Sequence, residues 1–405
     1  MGVVNFDKLR ECIDVPRDAE RLLGKCEKEI RFSLNVILFP DGLVEADAYV
    51  VYHNAARGPA KGGLRIWPNV TLEHTRTLAE LMTLKTALVG IPFGGGKSGI
   101  ALDPRQFPRA NKSAIIREFV HIIRDELYSG SYVPAPDLGS NPADMAVIYG
   151  ETHHPESVTG KPPRVGGLPG RREATGYGVS HVTALACDTF LKCGLDGLKL
   201  AVQGFGNVGE WTCRFLAERG ARIVAVADSE GGVHRAEGLP VDELAAYVAK
   251  NGTVAGFAGD GISNEELLAM EVDALIPAAV EDVINEDNAG RVGAKLVIEA
   301  ANGPMTPGGE EILISRGIPV VPDILANSGG VIASYVEWRQ AKSGAMTKKE
   351  ETYQTVAEQI EIAFNRVCQF GCNRHVCNRD AALAVAVQEL IATMKDRGWI
   401  PGVDG

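Results

Sequence analysis

The chain has 405 residues, 45% of them hydrophobic and 23% charged, with 46 glycines, 21 prolines and a formal net charge of −11. This length and apolar content suffice for two or three domains with buried cores and exclude a wholly disordered chain. The acidic balance argues against nucleic acid and anionic membranes as partners, and no apolar run is long enough to span a bilayer.

The N-terminal MGVVNFDKLRECIDV meets acidic residues early and lacks an apolar core, so no secretory signal is expected. Residues 31–53 read as a β-hairpin in which Phe32, Leu34, Val36 and Leu38 alternate, Pro40-Asp41-Gly42 turn, and apolar positions resume through Val50. A Gly-rich stretch follows at 58–63. Thr71 is a candidate N-cap for a helix reaching about Val89. A second Gly-rich turn at 94–99 leads into a short strand, GIALDP. Residues 112–128 are again helical and end in the loop SGSYVPAPDLGSN.

From about residue 198 strands and helices alternate. LKLAVQG meets GFGNVG; Val208, Trp211 and Phe215 then recur at helical spacing until Gly220. RIVAVAD is the next strand, followed by helical VDELAAYVAK and strand-like DALIPAA, AKLVIEAAN and IPVVPD. This order predicts a parallel, doubly wound sheet. Long helices fill the segment from about 345 onward. The fold class is α/β, with two α/β domains joined near 170.

Eight cysteines are scattered, as expected for reduced thiols in a cytoplasmic protein. Three of them sit with His375 in CQFGCNRHVC but lack paired CxxC spacing. That segment reads as a helix end, a stop at Gly371 and a following helix, so no metal is expected. His153 and His154 read as surface or capping residues.

Gly204, Gly206 and Gly209 follow a strand and open a helix, and Asp228 ends the next strand. That is the context a dinucleotide fingerprint requires. The first glycine permits the tight turn, the second lets a pyrophosphate approach, and the third lets helix and strand pack; the helix N-terminus favours phosphate. Asp228 suits the ribose hydroxyls of NAD. Glu230 adds negative charge where a 2′-phosphate would sit, and Arg235 is the cation to weigh against it. NAD is favoured, with NADP the alternative. Gly96-Lys97-Ser98 resembles the end of a phosphate loop, but Ile91 stands where that motif needs glycine.

Lys61 lies among glycines in GPAKGGLR, Lys85 in the helical MTLK, and Lys97 in the Gly-rich FGGGKSG. Lys85 shares a stripe with Leu78, Met82 and Val89, and a lysine facing a buried side calls for an anion. Glycines around Lys97 let a substrate approach the backbone. Other cations nearby would lower its pKa toward the range useful for acid–base work. Asp137 follows a proline-stiffened loop. Singly, each has an ordinary explanation: a snorkelling lysine, a loop lysine, a turn aspartate. Together, several lysines suit a substrate with more than one carboxylate, and an aspartate suits an amino group.

The motifs GPAKGGLRIWPNV, ELMTLKTAL, IPFGGGKSGI, VPAPDLGSN, GRREATGYGV, VQGFGNVG, EAANGPMTP and PDILANSGGVIASYVEW follow one another along nearly the whole chain. In this the sequence resembles the glutamate dehydrogenase family of amino-acid dehydrogenases. The resemblance implies a substrate-binding and oligomerisation domain over 1–170, joined by the C-terminal helices 340–405. A Rossmann-type NAD(P)-binding domain would span 171–339. It also implies a homohexamer. Lys97 matches the lysine that assists water attack on an iminium, and Asp137 the aspartate that shuttles protons at the amine. Lys85 matches the lysine for the α-carboxylate. Lys61 and Ser334 match the pair for the side-chain carboxylate, with Gly63 and Val331 beside them. Arg171 and Thr175 match residues near the nicotinamide. Phe205, Asn207, Val208 and Ser229 complete the cofactor side, and Asn302 and Asn327 match asparagines on the cofactor or substrate side.

The implied reaction is reversible oxidative deamination of L-glutamate to 2-oxoglutarate and ammonium. Lys61 points to glutamate, because relatives acting on branched or aromatic amino acids carry an apolar residue there. Another amino acid as substrate, and a paralogue that binds without turnover, are the competing readings. The sequence departs from the family pattern at Tyr177, Ala300 and Glu230.

Overall fold

The computed structural model describes residues 3–39 and 42–402. The chain forms two compact units: Met1–Arg171 with Val331–Thr352 and Leu383–Gly405, and Arg172–Gly330 with Tyr353–Ala382. No helix among the described residues is long and apolar enough to cross a membrane.

The first unit opens with α1 (Phe6–Arg10), α2 (Arg17–Leu23), β1 (Lys28–Leu38) and β2 (Gly42–Asn54). β3 (Ala60–Ile66), α3 (Leu72–Leu88) and β4 (Gly94–Ile100) follow, then α4 (Arg109–Ile122), α5 (Arg124–Tyr128), β5 (Tyr132–Pro136) and α6 (Pro142–Thr152). The five strands form one sheet in the order β1-β2-β4-β3-β5. β1 and β2 are the predicted hairpin, with Phe32 opposite Ala48 and Leu34 opposite Ala46. The turn expected at Pro40 and Asp41 lies outside the described residues. Leu34, Val50, Leu64 and Ile100 meet Ile116 and Phe119 of α4 and Met145 and Ile148 of α6 in one core. Truncating a buried ring such as Phe119 in a core of this kind costs about 3–5 kcal/mol.

The Gly-rich segments expected as turns are instead strands. β3 and β4 lie inside the sheet, where glycine is normally disfavoured. Close approach explains the composition. A Cβ on Gly95 would lie 2.1 Å from Thr83 Oγ1 on α3, and one on Gly62 would lie 1.7 Å from the Gly96 carbonyl oxygen. α3 keeps its predicted limits, with the Thr71 hydroxyl accepting the His74 N–H as the N-cap. Its buried face differs from the expected one. Thr75, Ala79, Thr83, Leu84, Thr86, Ala87 and Leu88 are buried together with Val89 of the expected stripe, whereas Leu78, Met82 and Lys85 are only half-buried. Small side chains fit against a glycine-rich strand, so they displace the larger stripe.

The second unit holds α7 (Ala174–Ala186), β6 (Lys199–Gln203), α8 (Asn207–Glu218), β7 (Arg222–Asp228) and β8 (Gly231–His234). α9 (Val241–Asn251), β9 (Asp260–Ile262), α10 (Asn264–Ala269), β10 (Ala274–Pro277), β11 (Val297–Ile298), α11 (Pro307–Ser315), β12 (Val320–Val321) and α12 (Asp323–Ala326) follow. The sheet order is β12-β11-β10-β6-β7-β8-β9. β12, β11, β10, β6 and β7 run parallel; β8 and β9 extend the edge antiparallel. β7 and β10 flank β6 on opposite sides, so the winding reverses there, where doubly wound folds bind ligands.

The chain ends with α13 (Gly329–Ser343), α14 (Lys349–Arg374) and α15 (Asn378–Asp396). These helices divide between the units. Residues 353–382 group with the second unit rather than the first. Tyr353 stacks on Tyr177 with 4.4 Å between ring centroids, which accounts for their grouping and gives Tyr177 a packing role. α14 also runs through Gly371 and stops at His375, which takes a left-handed φ of 56°.

Candidate active site

Three strands of the first sheet bring the chemistry together. Residues alternate across a strand. On β3, Ala60, Leu64 and Ile66 enter the core, which leaves Lys61, Gly63 and Arg65 on the opposite face. β3 and β4 are parallel and in register, with Lys61 beside Gly95 and Leu64 beside Ser98. Ser98 accepts the Tyr132 hydroxyl at 2.7 Å on the core side, so Lys97 shares the face of Lys61. Asp137 comes directly after β5, which pairs with β3 on its other side.

Lys97 and Asp137, expected in separate acid–base roles, lie against each other. Lys97 Nζ donates to Asp137 Oδ2. Arg65 Nε donates to Asp137 Oδ1 at 2.9 Å, and the Leu138 N–H reaches the same oxygen at 2.7 Å. Burial alone pushes this carboxyl up, but the Lys97 and Arg65 cations overrule it and hold it at about 2. Gly63 makes room for the arrangement, since a Cβ there would fall 2.4 Å from Asp137 Oδ2. Arg65 was overlooked in the sequence, although it stands two strand positions from Gly63 in the same motif. It is braced in turn by His74, 2.8 Å from its Nη1.

Lys61 is 1% exposed. Burial first, then the nearby Arg171 charge, drives its pKa well below the usual lysine range, and Glu337 offsets part of this. Arg171 donates to Ser334 Oγ at 3.1 Å, while its Nε is buried with no hydrogen-bond partner. Ser334 lies one turn after Val331 on α13, and both are buried. Glu337, one further turn along, does not neutralise the pocket. It accepts the Gly160 N–H at 2.8 Å and the Lys161 N–H at 3.1 Å, and pairs with Lys161 Nζ at 2.9 Å. Among the described residues, Lys61, Arg65, Lys97, Lys161 and Arg171 meet Asp137 and Glu337 as counter-charges. Such a surplus of buried and half-buried cations suits an anionic ligand. Neither Glu337 nor Lys161 was anticipated, because their partnership spans distant parts of the chain.

In the second unit Gly204 adopts φ +100°, and a Cβ on Gly209 would lie 1.9 Å from the Gly204 carbonyl oxygen. Gly206 caps α8 and faces open space. This is a cradle that a side chain would fill and that a pyrophosphate fits. Phe205 is buried and Val208 half-buried. Asn207 Nδ2 donates to the Arg172 carbonyl at 2.9 Å. Asp228 is held by the Glu230 N–H at 2.9 Å, the Thr253 hydroxyl at 3.0 Å and the Val254 N–H at 2.7 Å. Ser229 and Glu230 beside it are exposed. The Arg235 N–H donates to the Val224 carbonyl at 2.8 Å, four residues before Asp228 on β7. Asn327 Nδ2 donates to the carbonyls of Ala300 and Ala301 and to Asn302 Oδ1 at 3.0 Å. Thr175, in the first turn of α7, is half-buried.

Both halves of this arrangement match one family. Residues 27–154 match the "Glu/Leu/Phe/Val dehydrogenase, dimerisation domain" and residues 166–398 the "Glutamate/Leucine/Phenylalanine/Valine dehydrogenase" model. A "Glutamate dehydrogenase" of Thermotoga maritima is 40% identical over 99% of this chain and 98% of its own length. The chain belongs to the Glu/Leu/Phe/Val dehydrogenase family. A relative from Saccharolobus shibatae, named an NADP-specific glutamate dehydrogenase, is 39% identical over 97% of this chain and 95% of its own. Among solved structures, a hetero-hexameric glutamate dehydrogenase from Thermus thermophilus in a leucine-bound form superposes with a TM-score of 0.91. It is 32% identical and covers 98% of this chain and 95% of its own. As a family member this chain is an amino-acid dehydrogenase that uses NAD(P).

Proposed function

We propose that this dehydrogenase acts on L-glutamate, converting it reversibly to 2-oxoglutarate and ammonium. Buried Lys61 and half-buried Arg171 beside Ser334, with a buried Arg171 Nε that lacks a hydrogen-bond partner, carry the reading. A side-chain carboxylate satisfies that pocket, whereas an aliphatic side chain would leave it charged and dry.

In this mechanism Lys61 and Ser334 hold the side-chain carboxylate and Lys85 the α-carboxylate, with Gly63 and Val331 shaping the floor. Asp137 takes a proton from the substrate ammonium. The Lys97 and Arg65 cations that hold this carboxyl at about 2 keep it ionised, in the form that can accept a proton. The dinucleotide, when bound, supplies the two-electron acceptor for the α-carbon. Lys97 activates the water that attacks the resulting imine, and collapse releases ammonia. Gly204, Phe205, Gly206, Asn207, Val208 and Gly209 would hold the pyrophosphate, Asp228 and Ser229 the ribose, and Arg171, Thr175, Asn302 and Asn327 the nicotinamide side.

NAD is the proposed preference, because Asp228 and Glu230 place two carboxylates at the end of β7. We further propose a homohexamer in the cytoplasm; all eight cysteines are free thiols. The test is reduction of NAD and of NADP by the pure chain with glutamate, leucine, phenylalanine or valine. Glutamate-dependent reduction that is lost in Lys97→Ala and Asp137→Asn is expected, faster with NAD. Turnover of an apolar amino acid alone would overturn the substrate assignment.

A further inference from the structure

Four charged side chains of the second unit meet at a place the mechanism does not use. Arg379, in the first turn of α15, donates from Nη2 to Glu299 Oε1 at 2.7 Å and from Nε to Glu310 Oε2 at 2.7 Å. Its Nη1 reaches Asp323 Oδ1 at 3.4 Å. Glu299 opens the turn that follows β11, and Asp323 begins α12. The Asp323 N–H donates to Glu299 Oε2 at 2.9 Å, and the Gly303 N–H donates to Asp323 Oδ2 at 2.9 Å. The turn 299–303 is thus gripped at both ends by carboxylates that share one guanidinium. Asn302 sits on this turn, and Asn327 is hydrogen-bonded to it.

We propose that Arg379 is a positioning residue for dinucleotide binding, fixing the 299–303 turn, with Asn302 on it and Asn327 bonded to it, through Glu299 and Asp323. This rests on the reading of Asn302 and Asn327 as cofactor-side residues. A guanidinium suits the task because its planar fork serves several carboxylates at fixed angles, which a lysine cannot do.

Charge counting adds a pH dependence. Three carboxylates surround one cation, and like charges this close cannot all ionise at little cost. Glu299 is fully buried, whereas Glu310 keeps 11% of its side chain exposed. Burial raises the Glu299 carboxyl to about 7 from its usual 4.5; Arg379 opposes this and Asp323 adds to it. The groups facing Glu299 are Arg379 from α15 and Asp323 from α12, with Glu310 of α11 across the guanidinium. Beyond them the Cys377 thiol bonds Asp380. A carboxyl raised in the assembled turn makes the assembly most stable at low pH, and stability declines as pH rises from the ordinary carboxyl range to about 7, levelling off above it. Dinucleotide affinity should fall with it.

The measurement is the Kd of NADH and of NADPH by nucleotide fluorescence at several pH values between 6 and 8, on wild type, Arg379→Lys and Glu299→Gln. Wild type should bind less tightly as pH rises. Glu299→Gln should lose that slope. Arg379→Lys should raise Kd about tenfold at every pH, on the scale of one hydrogen bond to a charged group, with the glutamate KM unmoved. A flat wild-type profile, a wild-type slope in Glu299→Gln, or an Arg379→Lys protein that melts earlier yet binds normally would each overturn the inference. A wild-type protein that binds neither nucleotide would instead refute the cofactor reading of the whole unit, and this inference with it.

Discussion

Lys61 exerts opposite pulls on folding and function. Its charge is disfavoured by burial and by Arg171, so the folded chain binds fewer protons there than the unfolded chain. The unfolded lysine stays protonated to about pH 10, so the destabilisation is present at neutral pH and lifts as pH rises toward that value. Lys61→Met should therefore raise the melting temperature at pH 7, by a stability gain of about 1–4 kcal/mol. The gain should shrink in alkaline buffer, and calorimetry at two pH values would read it. Asp137 behaves in the reverse sense: held low by Lys97 and Arg65, it stabilises above its ordinary value and loses that contribution as pH falls toward 2. The acid limb of kcat/KM should consequently not report a group titrating near neutrality at Asp137. Removing the cation with Arg65→Met should bring that limb up in pH. Lys61, Lys97 and Asp137 were legible from motif and residue type. Arg65, Lys161 and Glu337 were not, because their roles come from pairing across strands and across more than a hundred residues of chain.

The glycines test the account at the level of whole elements. In β3, Gly63 faces a movable side chain, whereas Gly62 faces a backbone carbonyl. Gly63→Ala should fold and lose activity, because Asp137 is pushed off Lys97. Gly62→Ala should fail to fold, since its 1.7 Å contact has no side chain to yield. Soluble yield and kcat separate the two cases. The dinucleotide turn offers a parallel pair: Gly206→Ala should leave the melting temperature near that of wild type but weaken nucleotide binding, while Gly209→Ala should destabilise. The hairpin, α3 and the βαβ turn were readable because periodicity, caps and the glycine fingerprint are local signals. β3 and β4 were misread because glycine, locally a turn former, is there for a helix and a neighbouring strand that pack against it. The same cause hid the buried face of α3, where threonine and alanine take the place expected of leucine and methionine.

For the whole molecule, alternation of strands and helices located the α/β fold, but not the division of the C-terminal helices between two units. That division depends on contacts such as Tyr353 on Tyr177, which join distant positions and leave no periodic trace. Family membership narrows the chemistry to amino-acid dehydrogenation, and the proposed function assigns the choice of substrate within the family to the cation pocket of the first unit. The most direct test of that claim is the ratio of kcat/KM for glutamate to kcat/KM for leucine, in wild type and in Lys61→Met. Loss of a buried ion pair to the substrate should lower the ratio about a hundredfold or more, mainly through the glutamate KM. An unchanged ratio would contradict the account, because it would mean that Lys61 does not face the substrate side chain.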